Sequence, residues 1–144
     1  MNRVAIVFLQ TALVFFVAGM VVGAVGLGAP AWMTHERSVA HAHLLLVGWL
    51  MNTVIGVAWW MFPRIPGTVA GPAWVLTGWG MLNGGLLLRV GLDLFGGDGG
   101  MAAAPPALRW SSALLQLGGA LLLAAAIARR VRPPSQRPRT PGTP

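Results

Sequence analysis

Apolar residues along this chain gather into four long blocks separated by short polar or Gly/Pro-rich stretches. The first runs from Val4 to Leu27 and is broken only by Gln10 and Thr11. The second spans Val39 to Phe62, the third Val69 to about Leu92, and the fourth Leu108 to Ala128. Each is long enough for a helix to cross a hydrocarbon core, which takes roughly 20 residues. Backbone facing lipid must satisfy its own hydrogen bonds, so helix is the expected state. The pattern therefore predicts an all-α polytopic membrane protein, a four-helix transmembrane bundle over residues 1–128. Its spans fall at about 4–27, 39–62, 69–92 and 108–128. The first block is longer than a signal-peptide core and Pro30 sits badly for cleavage, so a retained span is expected.

Within the second block the pattern divides at helical spacing of roughly 100° per residue. One stripe holds His41, Leu45, Gly48, Asn52, Gly56 and Trp59. Small residues let helix backbones approach, and an asparagine in lipid needs a partner, so this stripe should face other helices. The opposite stripe, His43, Val47, Leu50, Val54, Val57 and Met61, is apolar and suits lipid or a second protomer. Glycines at 78, 80, 84 and 85 in the third block, and at 118 and 119 in the fourth, leave room for close helices or for a ring.

Composition agrees with a membrane location. The chain is 56% hydrophobic and only 9% charged, far from the balance of a soluble domain. It contains no cysteine, which excludes disulfides, zinc–thiolate sites, iron–sulfur clusters and covalent haem attachment through Cys-x-x-Cys-His.

Charge orients the spans. The net +7 comes entirely from arginine, and half of the arginines lie in one tail, so no nucleic-acid footprint is implied. Arg3, Arg64 and the tail arginines 129, 130, 132, 137 and 139 would share one side; Arg37, Arg89 and Arg109 would share the other with Glu36, Asp93 and Asp98. The excess of basic residues marks the cytoplasmic side. Both termini are thus expected in the cytoplasm, in a bacterial inner membrane, with loops 28–38 and 93–107 outside. Trp32 and Trp110 then lie near the outer interface, and Trp59, Trp60 and Trp74 near the inner one. Trp49 and Trp79 fall deeper and should pack inside. The Arg/Pro-rich tail 129–144 has too little apolar surface to fold and is expected to be disordered.

Candidate chemistry concentrates at the outer end of the second span. His35, His41 and His43 are the only histidines in the chain. Histidine is the commonest metal ligand, and ionisable groups at a membrane boundary raise a functional question. His41 and His43 point roughly 200° apart on a regular helix, so they cannot easily chelate one ion. No nucleophile–base pair, paired carboxylates or phosphate loop is visible, so any catalysis would come from a cofactor.

The segment His41-Ala42-His43-Leu44-Leu45-Leu46-Val47-Gly48-Trp49, continuing to Trp59-Trp60-Met61-Phe62-Pro63-Arg64, resembles helix II of the haem-copper oxidase subunit I superfamily. The His-Ala-His spacing followed by Gly48 is also similar to the NnrS family of haem- and copper-containing membrane proteins. The likeness covers about 25 residues and suggests a small four-helix relative. It implies that His41 is an axial ligand of a b-type haem serving electron transfer or binding of nitric oxide or oxygen. The further histidines of a full oxidase subunit have no counterpart here, so oxygen reduction or proton pumping by this chain alone is not expected.

The propionates of such a haem need cationic partners. Arg89 lies roughly 13 Å outward of the midplane, level with His41, and Arg37 and Arg109 lie at the outer boundary. These three arginines are the candidate propionate clamp, with snorkelling to the interface as the alternative role for Arg89. The second axial ligand stays open between His35 folding back, a histidine from a homodimer partner, and an open position. Two other readings compete. His35, His41 and His43, with Glu36, would bind copper or zinc at the outer face. Or the chain would be a non-catalytic partner or assembly subunit of a respiratory complex.

Overall fold

A computed structural model describes residues 3–62, 71–97 and 99–130. Arg64, Val69, Asp98 and the tail from Val131 onward, including its expected disorder, lie outside the described residues. Among the described residues every regular element is helical. Helix α1 spans Arg3–Gly28, and a short 3₁₀ turn at Pro30–Trp32 leads into α2, His35–Met61. Helix α3 spans Pro72–Phe95, α4 is a single turn at Gly100–Ala103, and α5 spans Pro106–Ala128.

Among the described residues, α1, α2 and α5 are long and apolar enough to cross a membrane. Helix α3 has 24 residues but carries Asn83, Arg89 and Asp93, and is not among the three.

Two boundaries differ from the sequence pattern. Helix α2 starts at His35 rather than Val39, because the Thr34 side chain accepts a hydrogen bond from the Arg37 N–H and Glu36 places negative charge in the first turn. His35 is therefore helical, not part of an outer loop. Helix α3 runs on to Phe95, and the Asp93 carboxylate accepts from the Met101 N–H at 2.9 Å, which ties α4 down. The segment expected as an open loop is thus partly folded, with Gly100 and Met101 buried.

Helix α2 also changes pitch. Residues Leu44–Met51 form a π-helical stretch between two α-helical ends. Each residue of an i→i+5 helix turns by less than the roughly 100° of an α-helix, yet His41, Leu45, Gly48 and Gly56 all face α1.

Helix α3 lies along α5, α1 lies along α2, and α2 meets α3 near its start and its middle. Gly78, Gly85 and Gly119 make the α3–α5 approach close: a Cβ at Gly119 would stand 2.5 Å from the Leu82 backbone nitrogen. Gly80 and Gly84 face open space instead. At the end that holds both Val4 and Ala126, all four long helices share one core around Phe8, Ile55, Trp59, Val75, Leu82 and Leu123. At the His35 end the core of Phe15, Val22, Ala40, Leu44, Leu86 and Val90 comes from α1, α2 and α3 only.

Most polar groups inside the bundle find partners, the buried Trp59 Nε1 being an exception. Asn52 and Asn83 exchange side-chain hydrogen bonds between α2 and α3. The Ser112 hydroxyl donates to the Gly85 carbonyl at 2.9 Å, and Trp79 Nε1 donates to Thr11 at 3.2 Å. Gln10 lies exposed on α1. Trp60, Trp74 and Trp110 stay exposed, as residues of an interfacial belt would be, but Trp59 does not: it is a core residue at 2% exposure. Arg130, read from sequence as part of a disordered tail, is buried as well. It donates to the carbonyls of Trp59 and Phe62 and stacks on the Trp59 ring, which caps the last turn of α2 with positive charge.

Candidate functional site around His41

His41 belongs to the stripe of α2 that faces α1, with Leu45 on Gly19, Gly48 on Phe15 and Gly56 on Phe8. Asn52, at the edge of that stripe, reaches across to Asn83 on α3. The His41 ring lies over Gly23, where a Cβ would come within 2.8 Å of the ring carbon Cε1. Nδ1 stands 2.9 Å from the Gly19 carbonyl oxygen.

That contact fixes the chemistry of the ring. A carbonyl oxygen only accepts, so Nδ1 carries the proton and donates it. In the neutral imidazole the lone pair is then on Nε2. Histidines that bind metals use this arrangement, with the far nitrogen anchored on a carbonyl and the near one free to ligate.

His41 borders a cavity of about 510 Å3 between α1 and α2, with Met20, Gly23, Gly26, Met33 and Leu45 around it. The walls are apolar apart from the imidazole. Met33 fills a second notch, packing its thioether on Gly26. The size falls within the range of small-molecule and cofactor sites.

The other candidates lie elsewhere. His43 turns its Nδ1 to the Val39 carbonyl of its own helix at 2.9 Å. His35 borders a separate cavity of about 90 Å3 with Glu36, Arg89 and Asp93. Among the described residues no three His, Asp or Glu side chains are grouped so that they could hold a metal ion.

The three arginines are not gathered at one point. Arg37 sits one turn from His41 on α2; it donates to the Trp32 carbonyl at 2.7 Å and stacks on the Trp32 ring at 4.7 Å. Arg89 pairs with Asp93 at 2.8 Å. Arg109 is exposed, donates to the Ala102 carbonyl and borders a third cavity beside Trp110. Only Arg37 shares the His41 face of α2.

Sequence reasoning missed the α1 side of the site. The signal was present as Gly19, Gly23 and Gly26 in one helix, followed by Met33. Glycines at such spacing open a face, but nothing in the pattern says which helix will fill it.

Comparison with family models, curated proteins and solved structures returned no match. The reading of the site therefore rests on its own geometry.

Proposed function

We propose that this chain is a membrane-embedded b-type haem protein for electron transfer or diatomic gas binding, with His41 as an axial ligand. The observation that carries the reading is the Nδ1–Gly19 contact, which in the neutral ring puts the lone pair on Nε2, in a side chain that borders an apolar cavity. Gly23 supports it, because a Cβ there would strike the His41 ring and move it from this position. Arg37, one turn outward on the same helix, would bind a propionate through the donors that its bond to the Trp32 carbonyl leaves over. Arg89 and Arg109 are held by Asp93 and Ala102 and would contribute charge at that end. A bound haem would supply one-electron or gas-binding chemistry at iron; the protein supplies ligation, apolar enclosure and charge.

The same proposal places the chain in a bacterial inner membrane with four spans and both termini cytoplasmic. Helix α3, at 24 residues, reaches about 36 Å, enough for a core of about 30 Å. Its polar residues are paired inside the bundle, Asn83 with Asn52 and Asp93 with Arg89, which lowers the cost of a fourth span. The arginine excess at the terminal end sets the orientation.

The test is an absorption spectrum of the full chain, purified in detergent after expression with ample haem. Wild type and His43→Ala should show a Soret band with reduced α and β bands, and His41→Ala should lose them. A featureless wild-type spectrum overturns the proposal, and co-purification with a larger respiratory complex would then favour the partner-subunit reading.

A further inference from the structure

We infer that the end of the bundle near the termini is a seat for anionic phospholipid headgroups, with Arg3 and Arg129 as the phosphate-binding residues. The inference goes beyond the haem reading and does not depend on it.

Charge at the two ends is unequal. Among the described residues the end near the termini carries Arg3, Arg129 and Arg130 and no acid. The opposite end carries Arg37, Arg89 and Arg109 together with Glu36 and Asp93, and Asp93 is paired with Arg89. Arg130 is buried and donates to the Trp59 and Phe62 carbonyls, so it belongs to the fold. Arg3 and Arg129 are exposed. A guanidinium grips phosphate oxygens through paired N–H donors and stays charged.

The packing sets an exposed indole at the level of each cation. Gly56 of α2 lies against Ala5 and Phe8 of α1, so Trp60 and Arg3 both stand beyond that contact toward the same end. Gly78 of α3 lies against Leu123 of α5, so Trp74 and Arg129 likewise stand beyond theirs. Trp60 is 60% exposed and Trp74 49%. Tryptophans placed in this way sit at headgroup depth. Arg3 and Arg129 therefore lie where lipid phosphates lie, with no protein carboxylate among the described residues of that end to neutralise them. In phosphatidylcholine each phosphate brings its own choline cation. An anionic lipid such as phosphatidylglycerol brings none, so its charge complements this end and the two arginines discriminate between the lipids.

The experiment purifies the full chain in detergent containing equal amounts of phosphatidylglycerol and phosphatidylcholine with the same acyl chains. Mass spectrometry then counts each lipid retained per chain. Wild type should retain phosphatidylglycerol in preference. Arg3→Gln/Arg129→Gln should lower that preference by about fivefold for each arginine removed, at unchanged helix content by circular dichroism. Arg109→Gln, exposed beside Trp110 at the opposite end, should keep the wild-type preference. Equal retention of the two lipids by wild type overturns the assignment. So does a preference undiminished in Arg3→Gln/Arg129→Gln, or one lost to the same extent in Arg109→Gln.

Discussion

The carboxamides of Asn52 and Asn83 face each other across α2 and α3 and exchange two hydrogen bonds. Asn52 Nδ2 donates to Asn83 Oδ1 at 2.9 Å, and Asn83 Nδ2 donates back to Asn52 Oδ1 at 3.2 Å. Each amide also reaches its own helix, Asn52 to the Gly48 carbonyl at 2.7 Å and Asn83 to the Trp79 carbonyl at 2.8 Å. Asn52 follows directly on the π-helical stretch, so its amide satisfies a carbonyl where the ordinary ladder is altered.

Removing the pair should cost less than the two single removals together. Asn52→Leu leaves the Asn83 amide and the Gly48 carbonyl short of partners inside the bundle, at about 1–3 kcal/mol. The double variant Asn52→Leu/Asn83→Leu should be less destabilised than the sum of the singles, with a coupling of about 0.6–1.7 kcal/mol. Equilibrium unfolding of all four proteins in mixed micelles measures this; strict additivity would mean that the pair does not form.

Glycine substitutions in the α3–α5 pair should divide sharply. Gly119→Ala places a methyl 2.5 Å from the Leu82 nitrogen and 2.8 Å from the Gly78 carbonyl, and backbone cannot yield. The helices must part, at a cost of about 1–3 kcal/mol. Gly84→Ala meets nothing within 4 Å and should be neutral or slightly stabilising. Thermal denaturation in detergent separates the two outcomes.

Gly23→Ala should strike the site rather than the fold. The new methyl would stand 2.8 Å from His41 Cε1, so the ring must move off the Gly19 carbonyl. Loss of such an anchoring bond lowers affinity for a metal centre by about 10–100-fold. Haem retention against an apo-acceptor protein should fall accordingly while unfolding stays near wild type. Gly28→Ala, with nothing within 4 Å, is the matched control.

Arg130→Ala should destabilise the end of the bundle near the termini by about 1.5–3 kcal/mol, since charged donors to the Trp59 and Phe62 carbonyls and the contact with the Trp59 ring are lost together. Arg129, exposed beside it, should tolerate alanine within about 0.5 kcal/mol. Thermal denaturation of the two variants in detergent reads the difference directly.

The sequence by itself determined that this chain is helical, where its apolar segments lie, and that Gly48, Asn52, Gly56 and Trp59 form the packing face of α2. Those features follow from composition and period, because an apolar side chain gains the same burial whichever helix covers it. The tertiary structure decided which helix each group meets. The stripe of His41, Leu45, Gly48 and Gly56 is legible as a packing face, but only the fold shows that its partner is α1, with His41 over Gly19 and Gly23. Arg130 reads as one more cation of a basic tail until the end of α2 is folded beside it. Arg37, Arg89 and Arg109 are grouped in the sequence only by their expected nearness to the outer face, and that fixes only the coordinate along each helix. The lateral position, which separates them, is set by contacts between residues far apart in the chain.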